Sequence, residues 1–455
     1  MTFPKHFVWG AAAASYQVEG AAYEDGRGLS VWDMMCRNPG KVCDGHTGEV
    51  GCDHYHHWQE DVGIMKAMGL QAYRLSIAWP RILPEGTGTV NAKGLAFYDR
   101  LVDGLLAAGI QPWVTLFHWD FPYDLYLRGG WLNPDSPQWF ADYTQVVVDK
   151  LSDRVRHWMT LNEPACFVGL GLQNGEHAPG DRLGVAEVLR AGHHALLAHG
   201  RSVQAIRARA RRAPLIGFAP CGGIVAPATD TAVDIEAARR HMFHDFTRST
   251  MNLALWTDPV FLGRYPEEAV QAIGAAMPPI KAGDMETIAQ PVDFCGLNIY
   301  NCSVVRTGQD GRTETVPGPV GYPMTAMEWP VTPQALYWGP RFTWERYAKP
   351  IVITENGMAN TDWISTDDQV HDPQRIDFLK RYLREFHRAI DDGVEALGYF
   401  QWSIMDNFEW AFGYKRRFGL VYVDYPSGRR LPKDSAHWYR NVIATHGAAL
   451  AEDQG

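Results

Sequence analysis

The stretch Ile351-Val352-Ile353-Thr354 is a short apolar run that leads directly into Glu355-Asn356-Gly357. Its β-branched residues favour a strand, and the lack of polar alternation is typical of a strand covered on both faces. Similar runs recur along the 455 residues, at Phe7–Ala14, Ala72–Ala78, Gln111–Phe117, His157–Leu161, Leu215–Ala219, Asp293–Tyr300 and Ala396–Trp402. These eight runs are the predicted strands.

Longer amphipathic stretches between these runs predict helices. They lie at Asp61–Met68, from Asn91 to Gly109, at Val185–Ala210, at Pro373–Asp391 and at Asp434–Thr445. Eight strands that alternate with helices predict an α/β fold, a single (β/α)8 TIM barrel that spans residues 1–455 as one domain. Two inserts rich in Gly and Pro, 27–58 and 303–345, are predicted to be long loops over the carboxyl-terminal face of the barrel.

The composition is that of a globular protein and excludes several classes of function. Hydrophobic residues make up 46% and charged residues 21%, which argues against disorder. The chain has 42 Lys and Arg against 52 Asp and Glu, a net charge of −10, which argues against nucleic-acid binding. The 17 Trp residues are an excess that a carbohydrate-binding cleft would use.

Several features of the sequence indicate the cellular location of the protein. No segment approaches 18 apolar residues, so no membrane span is predicted. The amino terminus enters a strand-like run at once, without the pattern of a signal peptide, so we expect a cytoplasmic protein. The seven cysteines form no CxxC pair and are predicted to be free thiols. The oligomeric state is left open.

Two glutamates stand at the ends of predicted strands, where a barrel carries its chemistry. Glu163 follows the fourth strand and Glu355 the seventh. Each could be an ordinary ion-pair or cap residue, but two carboxylates across one barrel mouth fit glycosidic bond cleavage, which needs one protonated and one ionised group. Sequence spacing leaves open whether they lie about 5 Å apart, which gives retention, or about 6.5–9.5 Å, which gives inversion.

Six motifs in order along the chain resemble those of glycoside hydrolase family 1. They are Phe7–Ala21, Arg74–Arg81, His118-Trp119-Asp120, Thr160-Leu161-Asn162-Glu163-Pro164, Ile353-Thr354-Glu355-Asn356-Gly357, and Phe408-Glu409-Trp410-Ala411 with Arg417-Phe418-Gly419-Leu420. A single Glu-Asn-Gly match would be weak, whereas this ordered set covers nearly the whole chain.

The resemblance implies a retaining β-glucosidase that removes terminal β-glucosyl residues from short oligosaccharides or from aryl and alkyl glycosides, as in cellulose degradation. Glu355 would be the nucleophile and Glu163 the acid/base, with Arg74, Asn298 and Tyr300 in support. The residues implied to bind the sugar are Gln17, His118, Asn162, Trp329, Trp402, Glu409, Trp410 and Phe418. The implied partner is a small carbohydrate, and no cofactor or metal is implied.

Substrate preference is less well defined by the sequence. The family resemblance implies that 6-phospho-β-glycosidases tend to carry Ser at the position of Glu409 and Tyr at that of Phe418, and a carboxylate at 409 would repel a phosphate. Glu409 and Phe418 therefore argue against a 6-phospho-β-glycosidase, although Lys415 and Arg416 leave basic charge nearby. A carboxylate such as that of Glu409, when it bridges two neighbouring hydroxyls, accepts glucose or its C4 epimer. Galactosidase and fucosidase activity are therefore further expectations. Ala165 stands where many relatives carry an aromatic residue, which predicts a wider entrance for the aglycone.

Other functions remain as alternatives. A barrel that binds carbohydrate without cleaving it is disfavoured by the presence of both glutamates, and transglycosylation competes with hydrolysis for the same intermediate. The histidines of His54-Tyr55-His56-His57 suggest a metal site, but adjacent residues do not share a helix face as i, i+4 pairs do.

Overall fold

Eight parallel strands close into a barrel in chain order in this computed structural model, which describes residues 1–244, 246 and 249–451. The strands are β1 Val8–Ala12, β2 Ala72–Ser76, β3 Gln111–Phe117, β4 His157–Asn162, β5 Leu215–Ala219, β6 Phe294–Asn298, β7 Ile351–Asn356 and β8 Ala396–Trp402. Each predicted run coincides with one strand, so the predicted barrel fold is confirmed.

Helices surround the barrel and connect its strands. The α-helices are Ser15–Val18, Val31–Arg37, His54–Ala67, Trp79–Ile82, Ala92–Ala107, Tyr123–Leu127, Ser136–Leu151, Val185–Arg209, Ala232–Phe243, Ala254–Leu262, Glu267–Ile273, Asp284–Ile288, Ala335–Tyr347, Pro373–Asp391 and Asp434–Ala444. A π-helix covers Ala165–Gln173. Outside the barrel, Val225–Pro227, Ser303–Thr307 and Thr313–Thr315 form one small sheet, and Val421–Asp424 pairs with Arg429–Pro432. Among the described residues, no helix combines the length and apolar character needed to cross a membrane.

The helix Ala92–Ala107 illustrates how local sequence sets these boundaries. The Asn91 side chain accepts a hydrogen bond from the Lys93 amide, as an N-cap residue does. Phe97 and Leu101 lie on the buried face of this helix, and burial of that face against the barrel stabilises it. Gly109, with φ +80°, follows the last turn and lets the chain turn into β3.

Large side chains fill the interior of the barrel. Trp113 packs against Phe294 and Phe400, with ring centroids 5.5 and 5.0 Å apart. Met159 and Val352 belong to the same inner cluster. Phe400 and Trp402 point to the same side of β8, because side chains two residues apart share a face. The residues at the carboxyl ends of the strands therefore lie above a barrel interior that is filled with side chains.

The first insert, 27–58, is not a loop throughout, and that prediction is wrong. It contains the helix Val31–Arg37, which begins with a capping box between Ser30 and Asp33. It also contains the start of His54–Ala67, so this helix begins earlier than the predicted Asp61.

The second insert, 303–345, is likewise partly regular. Ser303–Thr307 pairs with Thr313–Thr315 in an antiparallel hairpin, and Ala335–Tyr347 is helical although it contains Pro340. Buried aromatic residues on the helix, including Tyr337 and Phe342, hold it in place despite the proline.

Candidate active site

The carboxyl ends of β4 and β7 bring Glu163 and Glu355 to the same mouth of the barrel. Glu355 lies within β7, in register with Asn298 of β6. Glu163 directly follows β4, and its amide donates to the Ala219 carbonyl at 2.9 Å. Its φ of +48° lies in the left-handed region and turns the chain sharply towards Pro164. Both carboxylates are almost wholly buried, at 7% and 3% exposure.

A chain of hydrogen bonds links the two carboxylates. Asn298 Nδ2 donates to Glu163 Oε1 at 2.8 Å and to Asn162 Oδ1 at 3.0 Å. The Arg74 guanidinium donates to the same Asn162 oxygen and forms an ion pair with Glu355. Arg74, Asn162 and Asn298 therefore hold Glu163 and Glu355 in one rigid arrangement.

The surroundings of the two carboxylates differ in charge. Burial and the nearby charge of Glu355 raise the pKa of Glu163 to about 7, against a smaller opposing effect of Asn298. Burial also raises the pKa of Glu355, but Arg74 and a 2.7 Å hydrogen bond from the Tyr300 hydroxyl oppose that rise. The arrangement thus favours a proton on Glu163 and a negative charge on Glu355.

A cavity of about 550 Å³ opens at this mouth of the barrel. Most of the predicted site residues line it: His118, Glu163, Asn298, Tyr300, Trp329, Glu355, Trp402, Glu409, Trp410 and Phe418. Arg74, Gln17 and Asn162 are buried and do not belong to its lining. They contact the lining residues from behind, through Glu355, Glu409 and His118 respectively.

The protonation of Glu409 and His118, two polar residues of the cavity lining, depends on the buried groups around them. Gln17 Nε2 donates to Glu409 at 3.3 Å and to the Phe408 carbonyl at 2.9 Å. Burial, followed by the charges of the two catalytic candidates, raises the pKa of Glu409 to about 8. Burial and the charge of Arg74 hold the pKa of His118 well below its usual value, so its imidazole is neutral. These residues therefore offer both donors and acceptors to a polar ligand.

Aromatic rings form the rest of the lining. His118 lies nearly parallel to Trp402 and to Trp410, with ring centroids 5.7 and 5.9 Å apart. Trp329 packs beside Tyr300 and Phe418 on another wall, with centroids 5.2 and 6.3 Å apart. Flat apolar faces beside polar groups suit a sugar ring, which has both.

Two cysteines of the cavity are absent from the residues predicted for the site. Cys166 and Cys221 both line the cavity, and their sulfurs are 3.5 Å apart. Cys221 stands just beyond β5, in Pro220-Cys221-Gly222. The position of a residue at a strand end is the signal that could have found it.

Two histidines at the start of His54–Ala67 form hydrogen bonds with nearby carboxylates. His54 Nδ1 is 2.7 Å from the buried Asp61, and His56 is 2.6 Å from Asp53. In the part of the chain that the structure describes, one group of three His, Cys, Asp or Glu side chains could hold a metal ion, and it consists of Glu163, Cys166 and Cys221.

Comparison with known proteins identifies the family. The family model described as Glycosyl hydrolase family 1 matches residues 1–448. The chain belongs to glycosyl hydrolase family 1. Family 1 relatives include Beta-glucosidase A of Thermotoga maritima, 44% identical over 98% of both chains, and the Bifunctional beta-D-glucosidase/beta-D-fucosidase of Bifidobacterium breve, 41% identical over 98% of this chain and 99% of the relative.

Solved structures of family 1 enzymes agree with this assignment. The Thermotoga maritima beta-glucosidase in complex with glucoimidazole superposes with a TM-score of 0.90 at 44% identity and covers 98% of this chain and 99% of its own. The resemblance to family 1 in the sequence motifs is thereby confirmed.

Proposed function

We propose that the chain acts as one catalytic domain, a retaining β-glucosidase that cleaves terminal β-glucosyl residues by double displacement. The observation that carries this proposal is the unequal environment of the two carboxylates. Glu355 has a cation and a phenol as partners, Arg74 and Tyr300, which favour the ionised form of a nucleophile. Glu163 has an amide as its partner, and its pKa of about 7 suits a group that gives and takes a proton near neutral pH.

The reaction would proceed in two balanced steps. Glu355 attacks the anomeric carbon, the bond from that carbon to the aglycone oxygen breaks, and Glu163 gives its proton to the departing oxygen. Glu163, now ionised, takes a proton from water while the water oxygen bonds to the anomeric carbon and the bond to Glu355 breaks. Two inversions at one carbon give net retention.

Sugar recognition is assigned to the polar groups and the aromatic rings of the lining. Gln17 Oε1 is buried and accepts no hydrogen bond from any described residue, which supports a role for Gln17 and its neighbour Glu409 in binding sugar hydroxyls. His118 would hold a further hydroxyl, Asn162 would orient the His118 imidazole from behind, and Trp402 would pack against the ring.

The remaining assignments concern the choice of substrate. A phosphate beside Glu409 would add negative charge next to the ionised Glu355 and would further oppose the ionisation of Glu409, which supports an unphosphorylated substrate. The names of the relatives, Beta-glucosidase A and Bifunctional beta-D-glucosidase/beta-D-fucosidase, support glucosides first and fucosides second. Trp410 and Phe418 would complete the sugar pocket, and Trp329 would support the aglycone.

Trapping of the covalent intermediate tests the nucleophile. A 2-deoxy-2-fluoro-β-glucoside with a good leaving group should inactivate the enzyme, and mass spectrometry should locate the sugar on Glu355. Glu355→Gln should fold, remain inactive and take up no label. A label on another residue would overturn the assignment.

Time-resolved NMR of aryl β-glucoside cleavage tests the stereochemistry. The β-anomer should appear first, followed by slow mutarotation to the mixture. Early α-anomer would indicate inversion and would contradict double displacement. Parallel assays with the 6-phosphorylated aryl glucoside should give much lower kcat/KM, and the reverse preference would contradict the proposed substrate.

We also propose a cytoplasmic location. All seven cysteines are free in the structure, which is typical of proteins in a reducing compartment. Cell fractionation tests this proposal, and recovery of the protein outside the cytoplasmic fraction would contradict it.

A further inference from the structure

Three potential metal ligands converge on one side of the active-site cavity. The sulfurs of Cys166 and Cys221 are 3.5 Å apart, and these sulfurs and a Glu163 carboxylate oxygen all lie within 4.8 Å of one another. The barrel itself brings them together, because β4 pairs with β5 and Asn162 lies in register with Ala219. Residues just beyond these two strand ends are therefore neighbours in space.

The spacing of the two sulfurs is close to that required by a tetrahedral ion, and the carboxylate oxygen lies within 4.8 Å of both. A Zn²⁺ ion with bonds of about 2.3 Å to sulfur and about 2.0 Å to oxygen needs its two sulfurs about 3.8 Å apart and each sulfur about 3.5 Å from the oxygen. The observed sulfur separation differs from this value by a few tenths of an ångström. Since Cys166, Cys221 and Glu163 all line the cavity, an ion in the cavity has access to the three groups.

We propose that Cys166, Cys221 and Glu163 form a binding site for a thiophilic divalent cation, Zn²⁺ or Cd²⁺, and that the bound ion inhibits the enzyme. Two thiolates select soft and borderline metals over Mg²⁺ and Ca²⁺, which prefer oxygen ligands. The inhibitory part rests on the proposed function, because an ion that holds the Glu163 carboxylate prevents it from carrying a proton.

The thiols must lose their protons when the ion binds. The contact with Cys221 and burial raise the pKa of Cys166 well above its usual value. The contact with Cys166 lowers the pKa of Cys221, but burial and the charges of Glu163 and Glu355 outweigh it and raise that pKa to about 11. The pair is therefore protonated without metal, and each ion displaces protons as it binds.

A spectroscopic titration tests the site without relying on turnover. Reduced protein is titrated with Cd²⁺, and the ultraviolet charge-transfer absorption of cadmium thiolates is recorded. The wild type should bind one ion per chain with the intensity of two thiolates. Cys166→Ser and Cys221→Ser should each lose about half of the intensity, one of the two sulfur ligands being gone, and the double variant should lose all of it.

Cys43→Ser is the matched control, because Cys43 is a half-exposed thiol that does not line the cavity. It should keep the full absorption. An unchanged band in the folded double variant, or no band in the wild type, would overturn the proposal. Should the double variant fail to fold by circular dichroism, Cys221→Ser alone decides, since it removes one of the two sulfurs.

A kinetic titration tests the inhibition. Zn²⁺ should inhibit the wild type and a chelator should restore activity, each variant being compared with its own metal-free rate. The double variant should need about 100-fold more Zn²⁺ for half inhibition, because both thiolate ligands are lost. Cd²⁺ binding without loss of turnover would overturn the inhibitory part. Failure of the proposed function would show separately. In that case Glu355→Gln would remain active, while the wild type would still give the cadmium band.

Discussion

The hydroxyl of Tyr300 provides a direct test of how the ionised state of Glu355 is maintained. It donates at 2.7 Å to Oε2 of Glu355, whose side chain is almost wholly buried. Tyr300→Phe removes this donor and keeps the ring that packs against Trp329 and Phe418. The ionised form of Glu355 loses a partner, whereas its protonated form loses little, so the pKa of Glu355 should rise.

The size of the shift follows from the type of hydrogen bond. A hydrogen bond to a charged group contributes about 1.5–3 kcal/mol, and one pKa unit corresponds to about 1.4 kcal/mol, so the pKa of Glu355 should rise by about 1 to 2 units. The acid limb of kcat/KM reports the free enzyme's ionised nucleophile. It should therefore move to higher pH by the same amount, with a loss of about 10- to 100-fold below the limb.

The assay is a pH profile of kcat/KM on an aryl β-glucoside, with Tyr439→Phe as the control. The Tyr439 hydroxyl donates to the Gly10 carbonyl at 2.8 Å in a fully buried position. Its loss should lower stability by about 1 kcal/mol and leave the acid limb in place. An acid limb shared by wild type and Tyr300→Phe would refute the role given to this hydrogen bond.

Other predictions concern the acid and the buried charges. Glu163→Gln should lower kcat/KM by about 10²- to 10⁴-fold for poor leaving groups and far less for activated aryl groups, and equal losses across a leaving-group series would contradict an acid role. In the wild type, kcat/KM should fall above about pH 7, as Glu163 loses the proton it donates, and the Gln variant should lack this limb. Lys433 is buried between Asp362 and Asp406, at 2.6 and 2.7 Å, so Lys433→Met should cost about 3–5 kcal/mol in denaturant unfolding. The exposed Lys93→Met should change stability by less than about 1 kcal/mol, and similar losses in both would contradict the burial argument.

The sequence predicted the barrel strands well because each is an apolar run bounded by polar residues. Gln111–Phe117, Leu215–Ala219 and Ala396–Trp402 agree with the structure to the residue. Phe7–Ala14 was predicted too long, because Phe7 and Ala13 are also buried although they lie outside β1. Buried residues are apolar whether or not their backbone pairs in a sheet, so an apolar run does not by itself show where a strand ends.

The inserts were predicted less well because their order depends on tertiary contacts. The content of Gly and Pro indicates loops, yet the helix Ala335–Tyr347 is stabilised by packing that no local pattern shows. In the first insert the capping box of Ser30 and Asp33 was a readable signal for the helix that follows.

The sequence predicted which residues gather at the site, but not how they divide between its surface and its support. The motifs gave no indication that Arg74 and Asn162 lie behind the cavity lining. Sequence spacing likewise could not bring Cys166 within contact of Cys221, because that contact depends on the neighbouring strand ends and on the turn at Glu163.

The backbone at Glu163 has a consequence for the stability of this protein. A non-glycine residue in a left-handed conformation costs about 1–3 kcal/mol, and here the side chain is also an acid kept away from water. Glycine at this corner would relieve both the left-handed strain and the burial of an acid, and it would remove the proposed acid/base. On the proposed role of Glu163, turnover and stability make opposite demands at this position, and favourable packing elsewhere in the fold must supply the difference.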